Sequence, residues 1–359
     1  MSDKTLNFNP GPAALPLEVL QTIQQEFLDY KGTGMSIMEI SHRSPEFDEI
    51  IDNAIALFRE LLELDENYHV LFLGGGASTQ FAMIPMNFLR SDKTAAYVDT
   101  GTWASKAIKE AKKIGKVHLA GSSKDDNYCC IPNNINFPDD VAYLHITSNN
   151  TIYGTQYQQF PDTGEVPLIC DMSSDIASRC HDFKKFDLIY AGAQKNIGPA
   201  GVTVVIINQE FLDKSIENTL TMFDYHTHAD KKSLFNTPPV FPVYTVGLVL
   251  EWIKKQGGLK EIEKINIAKK ERIYQLIDLY PDYYKGTVKP DSRSWMNITM
   301  RLPNEDLEKK FITEAKAVGM VGLKGHRSVG GVRISLYNAQ TLKNVDKLAQ
   351  FMEDFKKEN

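Results

Sequence analysis

Apolar positions along the chain switch repeatedly between two spacings. From Phe47 to Leu62, residues Ile50, Ile51, Ala54, Leu57, Phe58, Leu61 and Leu62 recur at helical intervals. Leu17 to Tyr30 predicts an earlier helix, starting near Pro16. Tyr68 to Leu73 is a short apolar run that ends in Gly74-Gly75-Gly76, so it predicts a strand followed by a helix over Ser78 to Leu89. Ala95 to Asp99 predicts another strand, and Trp103 to Ile114 the helix after it. Further strands are expected over Val141–Thr147, Leu168–Asp171, Leu188–Ala191 and Val202–Ile207. Strands and helices in this alternation predict an α/β unit with a mostly parallel sheet.

The texture changes after Trp252. A long helical stretch, Leu259 to Leu279, leads to a strand (Ser294–Arg301), a helix (Glu305–Val318), a strand (Val332–Leu336) and a last helix (Thr341–Lys357). This predicts a smaller α+β unit. The expected division is a large domain over 16–258 and a small domain over 259–359, joined by residues 1–15. The 359 residues suffice for two such cores without disulfides or a structural metal.

Charge and cysteines narrow the setting. A formal net charge of −6 gives no support to nucleic-acid binding, though it leaves room for local basic pockets. Cys129, Cys130, Cys170 and Cys180 form no CxxC pair, so neither zinc nor a redox motif is signalled. Free thiols in a reducing compartment are expected. The N-terminal stretch is polar and Pro-rich and lacks a secretory apolar region. No apolar run of about 18 residues predicts a membrane helix. A cytoplasmic location and no membrane partner are expected.

One lysine has an unusual context. Lys195 lies between an apolar run, a small-residue stretch (Ala191-Gly192-Ala193) and a Gly198-Pro199 turn, with a second apolar run beyond. A lysine at the mouth of a sheet, among small residues, has space for a bulky partner, and lysines shift their pKa readily on burial. Asp171 ends a buried-strand pattern and reads equally as a helix cap or as a carboxylate facing a ligand at a strand's carboxyl end. The turn Gly74 to Thr79 suits a phosphate cradle or simply tight packing. It is neither a Walker A motif nor GxGxxG, which discourages nucleotides and nicotinamide cofactors. Trp103 suits ring stacking or ordinary packing. His42-Arg43, His326-Arg327 and Arg333 suit a doubly anionic substrate or are separate surface cations. His226 and His228 have no companion ligands, so no metal site is expected. Lys231 and Lys232 read as a solvated pair.

Several stretches together carry a family resemblance: Asn7 to Ala13, Gly34 to Ser44, Gly74 to Phe81, Thr100 to Trp103, Asp171 to Asp175, Tyr190 to Asn196, Asn236 to Pro239 and His326 to Arg333. In this order the chain resembles, over nearly its full length, the class V family of pyridoxal-phosphate-dependent aminotransferases, with their aspartate-aminotransferase-like fold. The resemblance implies that Lys195 is the catalytic residue and holds pyridoxal 5'-phosphate covalently. It implies that Asp171 pairs with the pyridine nitrogen, Trp103 stacks on the ring and Thr151 contacts its phenolic side. Ala77, Ser78 and Gln194 would hold the cofactor phosphate. Asn236 and Thr237 would reach it from a second subunit, which makes a homodimer with shared sites. Arg333 would take the substrate α-carboxylate, and His42, Arg43, His326 and Arg327 its distal phosphate or carboxylate. Some members carry Arg after the Gly-rich turn, where this chain has Ala77-Ser78-Thr79.

The reaction so implied moves the amino group of L-glutamate to 3-phosphohydroxypyruvate, giving O-phospho-L-serine and 2-oxoglutarate in serine biosynthesis. The family also commonly accepts a phosphorylated hydroxythreonine on the route to pyridoxine. The competing readings are another aminotransferase of the same fold, such as one for alanine and glyoxylate, or a cysteine desulfurase. The latter is disfavoured because no cysteine lies in the C-terminal region. A pyridoxal-phosphate-binding protein without catalysis has no need of a complete substrate site.

Overall fold

A computed structural model describes residues 5–359. Residues 1–4, part of the segment expected to join the small unit, lie outside the described residues. Seven strands form the central sheet: β1 (Tyr68–Leu73), β2 (Thr94–Asp99), β3 (Lys116–Ser122), β4 (Leu144–Thr147), β5 (Leu168–Asp171), β6 (Leu188–Gly192) and β7 (Thr203–Asn208). Their order is β1-β7-β6-β5-β4-β2-β3. β7 runs antiparallel to both its neighbours, and all other pairs are parallel.

Alternation along the strands explains the layers. Val70, Phe72, Ala96, Val98, Leu144, Ile146, Ile189, Ala191, Val204 and Ile206 face one core. Leu71, Leu73, Ala95, Tyr97, Ile169, Leu188, Tyr190, Val205 and Ile207 face the other. Both faces are apolar, so each must be covered by helices. On the first face lie α2 (Pro45–Leu61), through Phe47, Ile50, Ala54 and Phe58, and α5 (Val240–Lys255), through Val243, Val246 and Leu250. α1 (Leu17–Glu26) packs against α5. On the second face lie α3 (Gly76–Phe88), through Phe81, Ile84 and Phe88, and α4 (Thr102–Ile114), through Ala107, Ile108 and Ala111.

A second sheet, β8 (Lys285–Gly286), β9 (Asn297–Arg301) and β10 (Val332–Ser335), is antiparallel. With α6 (Gly258–Leu279), α7 (Glu305–Ala317) and α8 (Leu342–Glu358) it encloses a third core of Ile273, Ile277, Ile298, Met300, Phe311, Ile334, Leu348 and Met352. Phe8 joins this core, and Leu6–Asn7 pairs with Met320–Val321.

The predicted strands Tyr68–Leu73 and Leu168–Asp171 form over those residues. The helix expected over Leu17–Tyr30 stops at Glu26. There the chain turns: Asp29 accepts from the Gly34 N–H, and Lys31 has a left-handed φ of 49°. Among the elements not anticipated are β3, α5 and the short strand β8.

Candidate active site

The carboxyl ends of the parallel strands converge in one crevice, the place where open α/β sheets bind ligands. Gly74–Ser78 follows β1, Gly101–Trp103 follows β2, Asn149–Thr151 follows β4, Asp171 ends β5 and Gly192–Lys195 leaves β6. Lys195 lies in the connection Ala193–Val202. This connection turns back at once, because β7 is antiparallel and Ala193 N–H bonds to the Val202 carbonyl at 3.1 Å. The lysine is thereby held on a short closed loop.

Lys195 Nζ donates to Thr151 Oγ1 at 2.6 Å. Burial pushes its ammonium down to about 8; Arg333 adds to the depression, while Asp171 and Asp175 oppose it. Asp171 is itself buried, and burial raises its pKa against the hydrogen bond from Ser173 and the charge of Lys195. Its Oδ1 accepts from the Ser173 N–H at 2.9 Å. Tyr190, which also lowers the Asp171 pKa, contacts His145 Nε2 through its hydroxyl at 2.9 Å. Burial drives His145 down to about 3, so the ring is neutral.

Two helices start at this crevice without a side-chain cap. α3 follows Gly75 and α4 follows Gly101. Their first N–H groups therefore have no intrahelical or capping partner. Gly75 and Gly76 have φ of 84° and 69°. A Cβ on Gly75 would lie 1.9 Å from Thr79 Oγ1, so the turn admits only glycine there. Ala77 and Ser78 occupy the first turn of α3, as expected of an anion cradle. The Gln194 side chain folds back over Gly192, where a Cβ would lie 2.7 Å from its Oε1. Trp103 sits in the first turn of α4 with its indole Nε1 buried and unpartnered.

A cationic group closes the crevice from the second sheet. Arg333, on β10, is only 6% exposed. Its Nη1 donates to the Thr151 carbonyl at 3.2 Å, and its Nε is buried without a partner. His326 Nδ1 pairs with Ser328 Oγ at 2.7 Å. Its pKa is lowered by burial and then by the charges of Arg333, Arg327 and Lys106. Lys106 on α4 was not foreseen from the sequence; its Nζ lies 4.3 Å from the Trp103 ring centroid. The chain thus gathers Lys195, Asp171, Thr151 and Arg333, with His326, Arg327 and Lys106 beside them. It does not bring in the other expected residues by any side-chain bond. Arg43 makes no side-chain hydrogen bond or ion pair among the described residues, and His42 Nε2 is buried without one. Asn236 and Thr237 are exposed, and Asn236 Nδ2 reaches only the Thr237 carbonyl, at 3.4 Å.

These residues fit pyridoxal phosphate. An amine of lowered pKa suits its aldehyde, a buried carboxylate its pyridine nitrogen, and an uncapped helix start its phosphate. The unpartnered Arg333 Nε leaves a donor for a substrate carboxylate.

Comparison with known proteins agrees. The family model for class-V aminotransferases matches residues 5–348. A phosphoserine aminotransferase of Lysinibacillus sphaericus is 55% identical, with all of both chains covered. A solved phosphoserine aminotransferase of Bacillus circulans subsp. alkalophilus is 54% identical over 99% of each chain, with a TM-score of 0.97. A solved pyridoxal-phosphate-bound one of Trichomonas vaginalis is 36% identical over 98% of this chain and all of that one, with a TM-score of 0.92. Full-length identity above one half, joined to a crevice whose lysine, carboxylate and helix start suit the same cofactor, leaves one conclusion: the chain belongs to the aminotransferase class-V family, among the phosphoserine aminotransferases.

Proposed function

We propose that this chain transfers the amino group of L-glutamate to 3-phosphohydroxypyruvate, forming O-phospho-L-serine and 2-oxoglutarate for serine biosynthesis. The observation that carries this reading is that Lys195, with its lowered pKa, and Arg333 both bond to Thr151, with buried Asp171 acting on the lysine's charge and His326, Arg327 and Lys106 near Arg333. Bound pyridoxal phosphate supplies the electron sink that spreads negative charge away from the substrate Cα. Lys195 holds the cofactor and, once released, takes the Cα proton as general base and returns it as general acid. A lysine near 8 suits both roles close to neutral pH. Thr151 orients the lysine by accepting from Nζ. Asp171 keeps the pyridine nitrogen protonated. Trp103 covers the ring, and Ala77, Ser78 and Gln194 hold its phosphate.

Arg333 takes the α-carboxylate. Its guanidinium is already fixed by the Thr151 carbonyl, so little ordering is needed on binding. His326, Arg327 and Lys106 take the distal anion. One cluster accepts both a phosphate and a carboxylate, because each presents several oxygens to the same cations.

His42, Arg43, Asn236 and Thr237 complete the site from a second copy of the chain. Their lack of side-chain bonds to the crevice supports this, as do exposed Met35, Met38, Leu220, Met222, Phe223 and Phe235 in the same stretches of sequence. Sedimentation of a fully active monomer at low concentration would contradict the homodimer. We read the chain as two domains, 16–258 and 259–359, with residues 5–15 on the latter. The location is read as cytoplasmic, since none of the four cysteines is disulfide-bonded. No helix among the described residues is long and apolar enough to cross a membrane.

The test of the reaction is an absorbance titration. Glutamate bleaches the visible cofactor band of the purified protein, and 3-phosphohydroxypyruvate restores it. A band that glutamate bleaches but this keto acid cannot restore refutes the phosphorylated substrate.

A further inference from the structure

The segment that carries His326 and Arg327 is a closed loop. Gly325 N–H bonds to the Gly331 carbonyl at 2.9 Å, and Val329 and Gly330 N–H both bond to the His326 carbonyl. Gly330 and Gly331 have φ of 75° and 70°. Arg327 and Ser328 at its tip are exposed. Its base is tied to β10 by backbone pairing: Arg333 N–H bonds to the Leu323 carbonyl at 2.8 Å, and Lys324 bridges to Val332. Beyond that base, one side chain beneath the loop holds it. Arg301, the last residue of β9, donates from Nη1 to the Val329 carbonyl at 3.3 Å. Its aliphatic stem lies under Gly331, where a Cβ would come within 2.7 Å of Arg301 Cδ and 2.5 Å of the Met300 carbonyl. The guanidinium is itself clamped. Its Nε and Nη2 bond to the two carboxylate oxygens of Glu308, in the first turn of α7, at 2.5 and 3.3 Å. Glu308 also accepts from the Leu302 N–H, and its side chain is only 8% exposed. A bidentate clamp of this kind fixes a guanidinium in orientation as well as in place.

We propose that Arg301, clamped by Glu308, is a positioning residue: it fixes the loop Gly325–Gly331 and so sets the aim of His326 and Arg327 at the distal anion of the substrate. It touches neither substrate nor cofactor. The proposal rests on the reading above that this loop binds the distal anion. Arg333 stands on the regular strand β10, with its own bond to Thr151, so the α-carboxylate site does not depend on the clamp.

The experiment compares the holoenzyme with its Arg301→Met and Glu308→Gln variants; Glu308→Gln keeps volume and serves where Arg301→Met does not fold. Two quantities are read: the rate of tryptic cleavage after Arg327, followed by mass spectrometry, and steady-state constants with 3-phosphohydroxypyruvate and glutamate, beside the half-reaction with L-alanine, which has no distal anion. Faster cleavage after Arg327 is expected, with KM for the two distal-anion substrates raised about tenfold, kcat changed far less, and the alanine rate kept within about twofold. Unchanged cleavage together with unchanged KM overturns the proposal, and so does an equal loss on alanine and phosphorylated substrate. A wild-type protein that handles alanine as well as phosphoserine strikes instead at the proposed function, while the cleavage rates still decide whether the clamp holds the loop.

Discussion

Lys195 offers a quantitative test, because three charges act on it with known sign. Burial lowers its ammonium from 10.5 to about 8. At pH 7 an ordinary lysine is neutral in about one molecule in 3,000, whereas a lysine near 8 is neutral in about one in eleven, so the free amine is about 300-fold enriched. The assay is labelling of cofactor-free protein by 1-fluoro-2,4-dinitrobenzene, an uncharged reagent, with the Lys195 peptide quantified by mass spectrometry as pH is varied. Labelling of that peptide is expected to rise with an inflection near 8, well below the surface lysines. Charge removal moves it in opposite directions. Asp171→Asn deletes an anion that favours the ammonium, so the inflection falls. Arg333→Met deletes a cation that disfavours it, so the inflection rises. An inflection near 10.5, or a shift of the same sign in both variants, refutes the reasoning that burial and these two neighbours set the lysine's reactivity.

Three other outcomes follow from the same geometry. Lys195→Ala removes the visible cofactor band and abolishes transamination; measurable turnover in that variant would reject the assignment. Arg333→Ala weakens amino donors and keto acceptors alike, by about 2–4 kcal/mol in kcat/KM, since the buried carboxylate partner is lost; a loss confined to phosphorylated substrates means that Arg333 serves the distal anion instead. Gly75→Ala forces a Cβ against Thr79 at a left-handed φ. It is expected to cost about 1–3 kcal/mol and to weaken retention of the cofactor, as read by thermal unfolding and by equilibrium dialysis.

What the sequence made legible follows from how each element is buried. β1 and β5 are buried almost throughout and bounded by glycine or acid, so their runs stand out. β3 is the edge strand, and in Lys116-Val117-His118-Leu119-Ala120-Gly121-Ser122 only Ala120 is buried, which leaves no apolar run to read. α5 has the opposite difficulty. Val243 to Gly247 are buried without an exposed position, and Pro242 and Gly247 interrupt the helical pattern, so periodicity gives no sign of a helix. Lys195 and Asp171 were legible because they follow or end a recognisable strand, and Arg333 because it lies inside one. Lys106 was not: a lysine on the amphipathic helix α4 has no sequence mark, and only the fold brings it to His326. The sequence also carries no sign of the Arg301–Glu308 pair, whose meaning depends on a loop about twenty residues further along.

Thr151 serves two masters: its hydroxyl receives Lys195 and its carbonyl receives Arg333. In the proposed function the reacting group belongs to the seven-stranded sheet and the anion-reading group to the three-stranded one, and Thr151 bonds to both. The enzyme is therefore modular in a practical sense. The chemistry can stay constant while selectivity is rewritten on the second sheet, through the span from Gly325 to Gly331, provided that the Thr151 joint is left alone. A designer seeking new amino acceptors should diversify that span first and treat residue 151 as fixed.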